Sequence, residues 1–163
     1  MPVNVRFMQK DDVPAVLECE TSCHQFADPD FDVPQLRPWA WSEEDVIMAV
    51  RQRKSKDSHD SRAFVAEVDK KVAGALIYEL RPEGYHILLF TTHDTADDEV
   101  SISLLTKVMA LAERSPKRKQ ISIDVMDGNY RTLKLFMGHG FKTQAGRDVW
   151  NCTFSAPQLS EKV

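Results

Sequence analysis

Cystine staples, membrane spans and a dominant sign of charge are all missing from this chain. Its three cysteines, Cys19, Cys23 and Cys152, are odd in number and follow no disulfide spacing. That excludes a cystine-rich secreted scaffold and fits a reducing compartment. No apolar run approaches the roughly 18 residues that a spanning helix needs, and Met1–Lys10 lacks a charged-then-apolar leader pattern. A cytoplasmic protein without membrane contact is the expectation. With 21 basic against 25 acidic residues the net charge is only −4, which argues against a broad nucleic-acid or anionic-lipid surface. Glycine is scarce as well: six in all, and none between Gly84 and Gly128. What is present suffices for one domain spanning residues 1–163 with its own core.

Hydrophobic periodicity divides the chain into short elements. Val3–Met8 alternates as a strand, and Asp11-Asp12-Val13-Pro14 opens a helix to about Gln25, with Pro tolerated in the first turn. Three prolines and three aspartates between Phe26 and Trp41 mark an irregular insertion at about 27–40. Ser42 and Asp45 then begin a helix to Arg53 with Val46, Ile47 and Val50 as its stripe, and the polar run Lys54–Arg62 is a loop. Ala63–Val68 and Val72–Leu80 form a hairpin, Tyr85–Thr92 a buried strand, and Thr95 with Asp98 caps a helix that stops at Ser115-Pro116. Ile121–Val125, a helix over Asn129–Met137, and a closing hairpin of Phe141–Gln144 with Val149–Phe154 complete the order. Hairpins followed by β-α-β crossovers predict an α/β (α+β mixed) domain. Its central mixed, mostly antiparallel sheet is flanked by helices, with His86–Thr92 and Ile121–Val125 as parallel neighbours.

Ile121-Ser-Ile-Asp-Val125, followed by Asn129 and then Gly140-Phe141, is the most specific pattern in the chain. Phe64-Val-Ala-Glu-Val-Asp, Val72-Ala-Gly-Ala-Leu-Ile-Tyr and His86-Ile-Leu-Leu-Phe precede it in order. In these segments the chain resembles the GCN5-related N-acetyltransferase (GNAT) superfamily from Val3 to about Phe154, and within it the bacterial ribosomal-protein-alanine N-acetyltransferases. The resemblance implies the GNAT fold and acetyl-CoA as acyl donor. The strand ending in Phe90, Thr91 and Thr92 would bind the pantetheine arm, the loop after it the pyrophosphate, and Asn129 would contact the coenzyme. It also implies an amine as acceptor, a protein N-terminus among the candidates.

The loop departs from that pattern. Ungapped counting places Asp97, Val100 and Ile102 where relatives carry Arg or Gln and two small residues. Glycines there admit a close phosphate, and a helix N-terminus favours the anion. Here β-branched side chains fill the space, and Asp97-Asp98-Glu99 supplies negative charge of its own. A carboxylate about 5 Å from a phosphate charge costs roughly 3 kcal/mol at an effective dielectric near 20, less when screened. Alternatively these residues only cap a surface helix.

Amine acylation needs a base for the ammonium proton and an acid for the leaving thiolate. Asp124 matches the position of the family's glutamate base, one methylene shorter, and can equally be an ordinary polar strand residue. Phe136 stands where the family's acid tyrosine is expected, and Tyr130 lies too early in the same helix to replace it directly. Cys19, Cys23 and His24 read as buried helix residues rather than a metal site, Trp39 and Trp41 as packing aromatics or a substrate-groove wall, and His93 as a solvent-facing loop histidine. Two functions stay open: an acyl-CoA-dependent N-acetyltransferase with weakened coenzyme binding, or a non-catalytic descendant that has abandoned acetyl-CoA and serves as a binding module.

Overall fold

The computed structural model describes residues 2–25, 43–44, 46–47, 61–126, 130–147 and 149–157. The insertion at 27–40, Trp39, Trp41, Asn129 and most of the expected second helix lie outside the described residues. Glu43, Glu44, Val46 and Ile47 are helical, with Val46 buried.

Among the described residues, seven strands form one sheet in the order β1-β2-β3-β4-β5-β7-β6. They are β1 (Asn4–Phe7), β2 (Ser61–Val68), β3 (Lys71–Leu80), β4 (Gly84–Thr92), β5 (Gln120–Met126), β6 (Lys142–Ala145) and β7 (Val149–Ser155). All neighbours are antiparallel except β4 and β5. Among the described residues, the helices that pack on this sheet are labelled α1 (Val13–Gln25), α2 (Asp98–Arg114) and α3 (Tyr130–Gly138). The expected parallel pair joined by a helical crossover is therefore present. β2 starts two residues early: Ser61 and Arg62 are strand, paired with Glu79 and Tyr78, rather than the end of a loop. Asp69 and Lys70 close the β2–β3 hairpin with φ of 52° and 66°, the left-handed geometry that a two-residue turn between twisted strands requires.

The apolar stripe of α2 decides which face of the sheet it covers. Val100, Leu104, Leu105, Val108 and Ala112 are buried against Phe64, Leu76, Tyr85, Ile87 and Ile121. Helix α3 adds Leu133 and Phe136 to the same core. On the opposite face, Val13 and Val16 of α1 meet Val65, Ala75, Ile77 and Leu89. Helix α2 begins at Asp98 rather than Thr95. Its N-cap Asp97 makes no side-chain cap, and Thr95 instead hydrogen-bonds His93, Oγ1 to Nδ1 at 2.8 Å.

Two glycines set close approaches. Gly74 of β3 lies under the first turn of α2, where a Cβ would come within 3.0 Å of Val100 Cγ1. Gly140, at φ 89°, ends α3. Phe141 N–H donates to Phe136 O at 3.1 Å and Gly140 N–H to Met137 O at 3.2 Å, a Schellman closure whose apolar contact is the Phe136–Phe141 ring pair.

Candidate active site

A bulge in β4 creates the site. Tyr78 pairs with Ile87 and Ile77 with Leu89, so Leu88 is an extra residue. Beyond it the side chains change face: Ile87 lies in the α2 core and Leu89 in the α1 core. The parallel pairing with β5 runs only from Gly84/Gln120 to Ile87/Ile123. Past that rung β4 continues along β3 while β5 continues along β7, and a wedge opens between them. His93 N–H donates to Ala73 O at 2.7 Å. Antiparallel alternation then directs the backbone groups of Phe90 and Thr92 away from β3, toward the wedge.

On the α1 face, next to the last paired rung, stand polar side chains. His86 pairs with Ser122 across β4–β5, with Nδ1 2.7 Å from Ser122 Oγ. Asp124 is one strand step further along that face of β5 and exposed, opposite Asn151 of β7. Glu79 of β3 is the register partner of His86 on its other side. Burial lowers the His86 pKa below 6.5, as does the positive charge of Arg81, against the opposing pull of Asp124 and Glu79. The imidazole is thus neutral at pH 7. Cys152, buried on β7, has its thiol pKa raised by burial and by Asp124; it stays protonated and inert.

On the α2 face, Phe136 is fully buried. Its ring meets Phe90 edge-on at 5.2 Å and Phe141 at 4.9 Å. The position matched to the acid tyrosine therefore belongs to an aromatic row of Phe90, Phe136, Phe141 and Phe154. Tyr130 is 60 % exposed at the start of α3.

No protein-family model matches the chain, and no curated protein is significantly similar to it. Solved structures do match. The PaiA N-acetyltransferase from Thermoplasma acidophilum in complex with coenzyme A superposes with a TM-score of 0.82 at 12% identity, over 95% of this chain and 99% of that one. The Escherichia coli ribosomal-protein-S18-alanine N-acetyltransferase gives 0.72 at 14% identity, over 99% of both chains. A putative acetyltransferase of the GNAT family from Desulfovibrio desulfuricans gives 0.70 at 15% identity, over 94% and 99%. The fold is that of the GNAT acetyltransferases.

Within this GNAT fold, the residues present suit a coenzyme A thioester at one end of the wedge and not at the other. Phe90 and Thr92 direct backbone groups to the side of β4 where the extended arm of such a coenzyme would lie. Thr91 turns its side chain to the α1 face and is buried. At the start of α2, however, Val100 is not a loop residue open to ligand: it is 1% exposed and packs over Gly74. Ile102 is 38% exposed. Asp97, Asp98 and Glu99 occupy the N-cap and first turn, where a pyrophosphate would need N–H groups without competing anions.

Arg131, a residue the sequence reading passed over, comes from α3 to bond Asp98, Nη2 to Oδ1 at 2.9 Å. It offsets one of the three carboxylates. His93 is not a free loop histidine. It is half-buried, with Nδ1 2.7 Å from Asp94 Oδ1 and Nε2 3.7 Å from Glu18 Oε1 of α1. No group of metal-binding side chains occurs among the described residues, and no described helix is long and apolar enough to cross a membrane.

His86 and Ser122 were also passed over as site residues. Strand alternation alone puts each on the face opposite its apolar neighbours, but only the β4–β5 register brings them together.

Proposed function

We propose that the chain is an N-acyltransferase that takes an acyl group from a coenzyme A thioester and gives it to an amine, with weak affinity for the coenzyme. The wedge that opens beyond Ile87/Ile123, with a polar cluster beside its apex, is the observation that carries this reading. A bound thioester would supply the electrophilic carbonyl and a thiolate leaving group. The chain's own part is to align the arm on the backbone of Phe90 and Thr92 and to draw the acceptor ammonium to the α1 face, where Asp124 and Glu79 are negative. Asp124 is the proposed carboxylate of the site, as base or as electrostatic partner of a base. The solved N-acetyltransferases of this fold, one of them bound to coenzyme A, support the donor and an amine or protein acceptor.

A second reading, a binding module without acyl transfer, is favoured by the acidic start of α2 and by Phe136 in place of an acid. Titrating acetyl-CoA calorimetrically into the full chain, followed by a thiol-release assay with peptide amines, separates the two. Binding in the high-micromolar range with slow turnover supports the first reading. Absence of both supports the second, and low-micromolar or tighter binding would refute the weakness assigned to the α2 terminus.

A further inference from the structure

We propose that the imidazole of His86, braced by Ser122 across the β4–β5 rung beside the wedge apex, is the base that takes the acceptor's ammonium proton at Nε2. This rests on the acyl-transfer reading above. Three observations converge. The pair sits next to Ile87/Ile123, the last rung before the strands part, so it is the last paired rung whose side chains lie on the α1 face. The 2.7 Å contact occupies Nδ1, and no described side chain bonds the other ring nitrogen. The charged groups that act on the ring are Glu79 from β3, Arg81 from the turn after it, and Asp124 from β5. The two carboxylates surround a ring that becomes cationic when it accepts a proton.

In the proposed tautomer Nδ1–H donates to Ser122 Oγ and the lone pair is on Nε2. One N–H bond of the ammonium breaks as one N–H bond forms at Nε2, leaving imidazolium and a neutral amine with its lone pair. Held neutral by burial, the ring is ready for this at pH 7. Asp124 is then a positioning residue that stabilises the imidazolium rather than the proton acceptor itself.

The same chemistry chooses the acceptor. At pH 7 an α-amine of pKa near 8 is already neutral in about one molecule in ten, and a lysine of pKa near 10.4 in about one in 2,500. A weak base such as His86 is matched to the first class. The expected preference for a free peptide α-amine over a lysine side chain is on the order of 10²-fold in kcat/KM, following that ratio.

The test uses the full chain with three variants, His86→Gln, Ser122→Ala and Asp124→Asn. Ring ¹⁵N NMR of the protein without ligand should show His86 with the proton on Nδ1 and titrating below the ordinary 6.5, and Ser122→Ala should alter both. With acetyl-CoA and an α-amine peptide, His86→Gln should lower kcat by roughly 10²–10⁴-fold while calorimetric acetyl-CoA binding stays unchanged. Asp124→Asn should keep the alkaline limb of the pH–rate profile and shift its acidic limb downward. An Nε2–H tautomer in the free protein overturns the proposal. Undiminished transfer by His86→Gln overturns it while leaving the acyl-transfer reading intact. A wild-type chain that transfers nothing to any amine overturns both.

Discussion

Placing a tyrosine at position 136 is the obvious way to restore a missing acid, and the structure gives it a definite cost. The Phe136 ring is 0% exposed, with Phe90 at 5.2 Å and Phe141 at 4.9 Å, both edge-on. A hydroxyl added to a buried ring without a partner loses about 1–3 kcal/mol, and the extra volume in a filled core about 1 kcal/mol more. Phe136→Tyr should therefore destabilise the fold by about 2–4 kcal/mol, lowering Tm by about 2–4 °C per kcal/mol at this chain length. Urea unfolding, with the slope compared between variants, measures it. Phe90→Ala opens space beside the ring, so Phe90→Ala/Phe136→Tyr should cost less than the sum of the single changes, by about 0.5–1.5 kcal/mol. A Phe136→Tyr protein as stable as the parent would refute the reasoning, because it would mean that the ring edge reaches water in the wedge.

Gly84→Ala should be severe, at least about 2 kcal/mol: the new Cβ would lie 1.9 Å from Gln120 O and 2.6 Å from Gln120 C, backbone atoms that no rotamer change relieves. Thermal melts would detect it, and a neutral result would show that β4 and β5 separate easily at the end of their pairing remote from the wedge. The half-buried His86 binds its proton less readily in the folded chain than in the unfolded one. Its contribution is therefore intact above pH 6.5 and is lost as pH falls through the folded pKa. His86→Gln should flatten that part of the stability–pH curve, and an unchanged slope by denaturant titration would contradict it. Asp97→Arg should tighten acetyl-CoA binding by roughly 3- to 10-fold after solvent screening, measured calorimetrically. Val100→Gly, by contrast, should unfold part of the core over Gly74 and lose about 2 kcal/mol or more. Equal affinity in Asp97→Arg would show that the coenzyme phosphates do not approach α2.

Element types and order were legible in the sequence because each strand and helix carries its own period: Val100, Leu104 and Val108 at helical spacing, Val3–Met8 in alternation. The parallel pair followed from chain length, since only a crossover can join Thr92 to Ile121 in that direction. Capping chemistry was less legible. Thr95 has the right residue type, but His93 takes its hydroxyl, a competition between neighbours that spacing cannot reveal. The absence of glycine from 85 to 127 marks the start of α2 as a departure from the GNAT pattern. It was tertiary packing that decided what stands there, putting Val100 inside the core and bringing Arg131 from α3 to Asp98. The His86–Ser122 contact joins residues on different strands, and the wedge beside it depends on one bulge at Leu88. A one-residue slip in that register would send each of these side chains to the opposite face. Periodicity is local and is written in the chain; register is a property of paired strands, and the site exists only in the register.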